Sequence, residues 1–181
     1  MTGSSAPLAA IRIDRDSGID ALLEDVARYW TGQGLRVRGV IQTRGVEDPE
    51  CHCADMDLVS LTDGRVFRIS QPLGHASRGC RLDPGALAEV SAVLAADLAE
   101  GCDLLILNRF GKGESDGRGF RDLIFAALEQ GIAVLTCVRD AYAAEWSAFG
   151  GGMTCDLPAD RKAVIAWTEG QLRPVVRQAA E

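Results

Sequence analysis

A three-layer α/β fold built on a mostly parallel sheet is what this sequence predicts, and three observations predict it. Short runs that are apolar almost throughout recur at 8–13, 104–107 and 132–137, the pattern of strands buried on both faces. Amphipathic stretches of helical period stand between such runs, at 19–31, about 84–100 and 120–130. The resulting order, β-α-β, a hairpin, then α-β-α-β, is that of parallel strands with helices on both sides. A chain of 181 residues has room for one ordinary core and not for two. Residues 1–181 are therefore read as a single domain, with 1–6 and about 172–181 as candidate flexible ends.

The first strand, Leu8–Ile13, leads into a helix at 19–31 whose Leu22, Leu23, Val26, Tyr29 and Trp30 form one stripe. Asp16 or Ser17 is the expected N-cap, and Gly32 and Gly34 mark its end. The segment 35–42 alternates well enough for a second strand. A hairpin over 57–69 follows, LVSL and VFRI joined by Thr62-Asp63-Gly64-Arg65, because Asp-Gly is a strong tight-turn signal. Asp83-Pro84 opens a long helix to about Glu100, with Leu87, Val90, Val93, Leu94 and Leu98 inward; proline suits a first helical position, where no amide hydrogen is needed. A strand at 104–107, a polar glycine-rich loop at 108–119, a helix at 120–130 and a strand at 132–137 form the next unit. Beyond it the chain reads as a glycine-rich loop at 146–152, a weak element at 164–167 and a last helix or tail at 171–180.

A hydrophobic content of 47% with 25% charged residues is that of a globular protein. The net charge of −7 disfavours a general nucleic-acid or anionic-membrane surface, since lysine and arginine are not in excess. No apolar run is long enough for a bilayer, and residues 1–10 lack a secretory pattern. A cytoplasmic location is therefore expected, where the six cysteines would be thiols or metal ligands. The expected partner is a small inorganic anion, with no nucleic acid and no membrane; homo-oligomerisation stays open.

Ligands of open α/β sheets sit just past the carboxyl ends of strands. At that place the loop after 104–107 carries Asn108, Arg109, Lys112, Glu114, Ser115, Asp116 and Arg118. Here the residues resemble a family. LLILNRFGKGE and ALEQGIAVLTCV hold the register that small P-loop nucleoside-triphosphatases give to the strand after their long helix and to the helix and strand that follow. Over nearly its whole length the chain resembles an uncharacterised bacterial family of NTPase-like proteins. The resemblance rests on GVIQ, the cysteine-containing patch before the hairpin, ISQPLG, GCRLDPGAL, NRFGKGE and GRGF. It implies a P-loop-NTPase-like fold with a β-hairpin insertion. Members are often encoded beside molybdenum-transport or nitrogenase genes, which implies a link to molybdate handling.

The departures from the NTPase pattern bear on mechanism. A P-loop needs a lysine for the β- and γ-phosphates and a Ser/Thr for magnesium. After Ile13 stand Asp14-Arg15-Asp16-Ser17-Gly18-Ile19-Asp20, with no lysine in place, so the P-loop is degenerate and its carboxylates repel a triphosphate. Asn108 and Arg109 stand where the small P-loop nucleoside-triphosphatases have Asp and Glu. Ordinary ATP or GTP hydrolysis is thus disfavoured. Glu114 remains the one candidate base for the alternative, a divergent nucleotide hydrolase or transferase.

What remains suits a small oxyanion, and the resemblance points to molybdate or tungstate. Arg109, Lys112 and Arg118 share one loop; Arg78 and Arg81 precede a helix start. Ser70, Gln71, Gly74, Ser77 and Gly79 add hydroxyl, amide and backbone donors, the neutral groups that an oxyanion needs beside one or two cations. A thiol-metal role is a third alternative. Cys51-His52-Cys53, Met56, His75 and Cys80 flank the hairpin, and Cys51, Cys53 and Cys80 together could hold zinc or another soft metal, or act in redox. Cys102, Cys137 and Cys155 read as small buried hydrophobes.

Overall fold

The apolar runs at 8–13, 104–107 and 132–137 become adjacent central strands in the computed structural model, which describes residues 6–14, 18–47, 54–71 and 82–178. In chain order the elements are β1 (Leu8–Ile13), α1 (Ile19–Gly32), β2 (Val37–Glu47), β3 (Ala54–Ser60), β4 (Val66–Arg68) and α2 (Pro84–Glu100). There follow β5 (Leu104–Phe110), α3 (Lys112–Ser115), α4 (Arg121–Glu129), β6 (Ala133–Arg139), α5 (Ala143–Gly150), β7 (Thr154–Leu157) and α6 (Arg161–Gln178).

One seven-stranded sheet runs β4-β3-β2-β5-β6-β1-β7. β2, β5, β6, β1 and β7 are parallel, and the β3–β4 hairpin continues the sheet antiparallel from β2. The three-layer, mostly parallel α/β class with a hairpin insertion is therefore correct. Residues 15–17, in the segment expected to form a degenerate P-loop, lie outside the described residues.

Each central strand divides its side chains between two cores, as the two-residue period of a strand requires. Leu105 and Leu107 of β5 and Val134 and Val138 of β6 pack with Leu87, Val90 and Leu94 of α2 and Leu123 and Ile124 of α4. Leu104, Ile106, Leu135 and Cys137 point the other way, onto Leu23, Val26 and Trp30 of α1 and Val164 and Trp167 of α6. Burial on both faces is why these strands carry no polar alternation.

Local chemistry fixes the helix starts. Asp83 accepts from the amides of Gly85 (2.8 Å) and Ala86 (3.2 Å), with Pro84 in the first turn. Before α1 it is Gly18, in the left-handed region at φ 77, that holds the cap position, with no side-chain cap. The expected cap residues Asp16 and Ser17 lie outside the described residues.

Three expectations need correction. Residues 146–152 are not a loop: α5 runs through Gly150, and Trp146 is fully buried against Phe110, ring centroids 5.3 Å apart. A strand, β7, stands at Thr154–Leu157 where none was expected, and the last helix expected at 171–180 is α6, which begins at Arg161 and takes in the weak element at 164–167. β5 extends past Leu107 to Phe110, so Asn108, Arg109 and Phe110 are strand rather than loop. Cys102 and Cys137 are buried as expected, while Cys155 is half-buried.

Candidate functional site

Because β1, β2, β5 and β6 run the same way, their carboxyl ends share one edge of the sheet. The chain leaves β1 toward β2 and leaves β6 toward β7, in opposite directions across the sheet, which is where open α/β sheets form a crevice. A cavity of about 340 Å³ opens along this edge.

The sheet edge supplies most of its polar groups. Gln42 comes from β2, Asn108 and Arg109 from β5, and Arg139 from the last position of β6; α3 adds Lys112 and Glu114. Arg109 donates through Nη2 to Gln42 Oε1 at 3.2 Å, which ties the two strand ends together. Lys112 Nζ sits 3.1 Å from Asp116 and is well exposed, so that pair is weak. Among the described residues three cations thus line the cavity, in a chain whose net charge is −7.

Asn108 is 3% exposed and its side chain is engaged on both ends. Its amide donates to Asp20 Oδ1 of α1, and its carbonyl oxygen accepts from the Cys137 thiol at 3.3 Å. The register of β5 on β6 shifts between Leu107 and Phe110, and the Asn108–Arg109 peptide is cis. The Thr136 hydroxyl fills the interrupted ladder, donating to Leu107 O (2.6 Å) and accepting from the Phe110 amide (3.1 Å).

Glu114 is placed to build the loop. Its Oε2 accepts from the Gly111 amide and its Oε1 from the Phe120 amide, each at 2.9 Å. Burial pushes its carboxyl above the ordinary value, against these amides, which favour the charged form. Arg121 braces the same loop, donating to Glu114 O at 3.1 Å while lying 4.8 Å from the Phe149 ring centroid. With both oxygens engaged by backbone, Glu114 holds residues 111–120 in place.

The other expected site residues are dispersed or undescribed. Ser70 is buried and accepts from the Met56 amide at 3.2 Å, and Gln71 donates to Leu82 O at 3.2 Å; neither lines the cavity. Arg118 borders a neighbouring groove beside Asp116, Gly117 and Asp122. Gly74, Ser77, Arg78, Gly79 and Arg81, and the thiols Cys51, Cys53 and Cys80, lie outside the described residues. Among the described residues no group of three or more His, Cys, Asp or Glu is placed to hold a metal. Three residues escaped the sequence reading: Gln42, Arg139 and Tyr142. The signal for Arg139 was there, a basic residue closing a strand that runs two positions past 132–137.

On the other face, a groove of about 580 Å³ lies between α1 and the hairpin side of β2, lined by Gly18, Asp20, Glu24, Gln42 and Thr43 with apolar neighbours. Two carboxylates and no cation line it among the described residues, which disfavours a polyphosphate there.

No solved structure matches the chain. It is 36% identical over 160 residues to the "Molybdenum import ATP-binding protein ModC 2" of Bradyrhizobium diazoefficiens, a match covering 88% of this chain and 18% of that protein. The chain thus spans less than a fifth of that relative's length. A family model matches residues 8–167, taking in all seven strands and the whole cavity edge, and the chain belongs to that family, described as "Protein of unknown function (DUF2478)".

Proposed function

We propose that the cavity at the carboxyl ends of β2, β5 and β6 binds a small oxyanion, molybdate or tungstate, and that the chain serves molybdenum homeostasis as a binding protein. The observation that carries this reading is the convergence of Arg109, Lys112 and Arg139 on one cavity of an otherwise acidic chain. Guanidinium groups offer forked, permanently charged donors to tetrahedral oxyanions. The name of the Bradyrhizobium relative, a molybdenum import protein, supports the choice of anion.

A nucleotide hydrolase is the weaker reading. The relative's name includes ATP binding, but the segment after Ile13 lacks a P-loop lysine. Glu114, the candidate base, has both oxygens occupied by backbone amides, and Asn108 offers no carboxylate to magnesium.

Thermal melts of the full chain with molybdate, tungstate, sulfate and ATP–magnesium test the proposal. Molybdate at about 100-fold its Kd should stabilise the fold by about 2.7 kcal/mol, and Arg139→Gln should remove most of that gain. Stabilisation by ATP–magnesium with none by molybdate or tungstate would overturn the reading.

A further inference from the structure

We propose that, besides free molybdate or tungstate, which fill only its cationic part, this cavity accepts an oxyanion carried on an apolar body, of which an aryl phosphate monoester is the simplest representative. The inference rests on the cavity being an anion site, as argued above. It goes beyond that reading by adding a second ligand class that shares the cationic part.

Size is the first argument. The cavity holds about 340 Å³, within the range of sites that take small organic ligands. A tetrahedral oxyanion displaces roughly two to three waters, on the order of 60–90 Å³. Most of the volume would then be left to solvent.

Composition is the second. The cations come from the sheet edge and α3, whereas the hairpin, α2 and the turns after α3 and β6 contribute carbon. Ile69, Leu87 and Phe120 are already buried by the fold and present a firm apolar wall, to which Met56, Leu82 and Tyr142 add half-buried surface. Apolar walls return nothing to a fully hydrated anion, and they repay a ligand only by covering its own apolar surface. A few fixed polar groups within a mostly apolar lining are the usual mark of an organic ligand site.

Charge is the third. Glu114 is the one carboxylate on the cavity lining among the described residues, and its oxygens accept from Gly111 and Phe120. Among the described residues Arg109, Lys112 and Arg139 therefore outnumber the acidic groups three to one, a balance that suits the two negative charges of a monoester. The apolar wall on the hairpin side suits its ring.

Calorimetric titration of the full chain with molybdate, inorganic phosphate, phenyl phosphate, 1-naphthyl phosphate and phenol separates the outcomes. The expected result is at least tenfold tighter binding of the aryl phosphates than of inorganic phosphate, competition between aryl phosphate and molybdate, and weakening of both by Arg139→Gln. Phenol alone should bind weakly. Molybdate binding with equal affinities for phosphate and phenyl phosphate would overturn the inference and leave the oxyanion reading standing. Tight aryl-phosphate binding lost in Arg139→Gln, with no binding of molybdate, would support the inference and remove molybdate as the ligand. Aryl-phosphate binding that molybdate does not compete, although molybdate binds, would place the two at different sites and overturn it. Binding of none of the probes would overturn both.

Discussion

The side-chain amide of Asn108, on the central strand β5, donates to the carboxylate of Asp20 in the first turn of α1, and so joins residues 88 positions apart at the carboxyl edge of the sheet. The same asparagine accepts from the Cys137 thiol of β6. Its donor and acceptor are both used, in a position 3% exposed. An aspartate there would face Asp20 charge to charge.

Asn108→Asp should therefore destabilise the fold at neutral pH by about 3–5 kcal/mol, the cost of an uncompensated buried charge. Like charges at close range favour a shared proton, so the loss should shrink as pH falls. Denaturant unfolding at about pH 5 and pH 8 reads this directly. A penalty independent of pH would place the cause in packing instead.

Glu114 offers a second test. Burial lifts its carboxyl above the ordinary 4.5, so its contribution to stability is full below that value and declines as pH rises through the raised folded value. Glu114→Gln places an amide donor against one of two backbone donors and should cost about 1–3 kcal/mol. Gln does not titrate, so the difference between wild type and variant should narrow with rising pH. A difference that stayed flat from about pH 4 to pH 8 would count against this role.

Gly119 is required by both backbone and neighbour. It adopts φ 65, and a Cβ built on it would stand 2.2 Å from Glu114 Oε1. Gly117, at φ 81, has open space around it. Gly117→Ala should cost only the left-handed penalty, about 1–2 kcal/mol, and Gly119→Ala distinctly more, because Glu114 must also move. Comparison of the two melting temperatures decides it; equal losses would mean that the glutamate yields freely.

Trp146 is fully buried, and its indole N–H donates to Asp156 Oδ1 at 3.0 Å, on β7. Asp156→Ala should cost about 1–3 kcal/mol, the range for a buried donor left without its partner, and it also removes the exposed pair with Arg12 at 3.5 Å, which adds little. Asp156→Asn keeps an acceptor and should be nearly neutral by the same unfolding measurement.

Much of the fold was legible because local rules and tertiary demands agree. β1 and α2 match their sequence boundaries: the first is apolar at every position the sheet buries, and the second is opened by Asp83-Pro84. β7 was not legible. Its four residues, Thr154–Leu157, are short, and only Leu157 is buried, so their strand state depends on pairing with β1. α5 departs from the sequence pattern because Gly150, Gly151 and Gly152 suggest a loop, while Trp146 and Phe149 are held helical by the aromatic cluster around Phe110.

At the candidate site, the polar, cation-bearing stretch after an apolar strand and the missing P-loop lysine after Ile13 can be read directly from the chain. Which of those groups meet depends on strand order and helix packing. Arg109 of β5 and Arg139 of β6 line one cavity because parallel strands end at one edge. Glu114 was turned from candidate chemistry to architecture by the amides of Gly111 and Phe120. Spacing along a chain specifies which strand end a residue occupies; which neighbours it faces there depends on strand order, and strand order is set by the packing of two helical layers on the sheet.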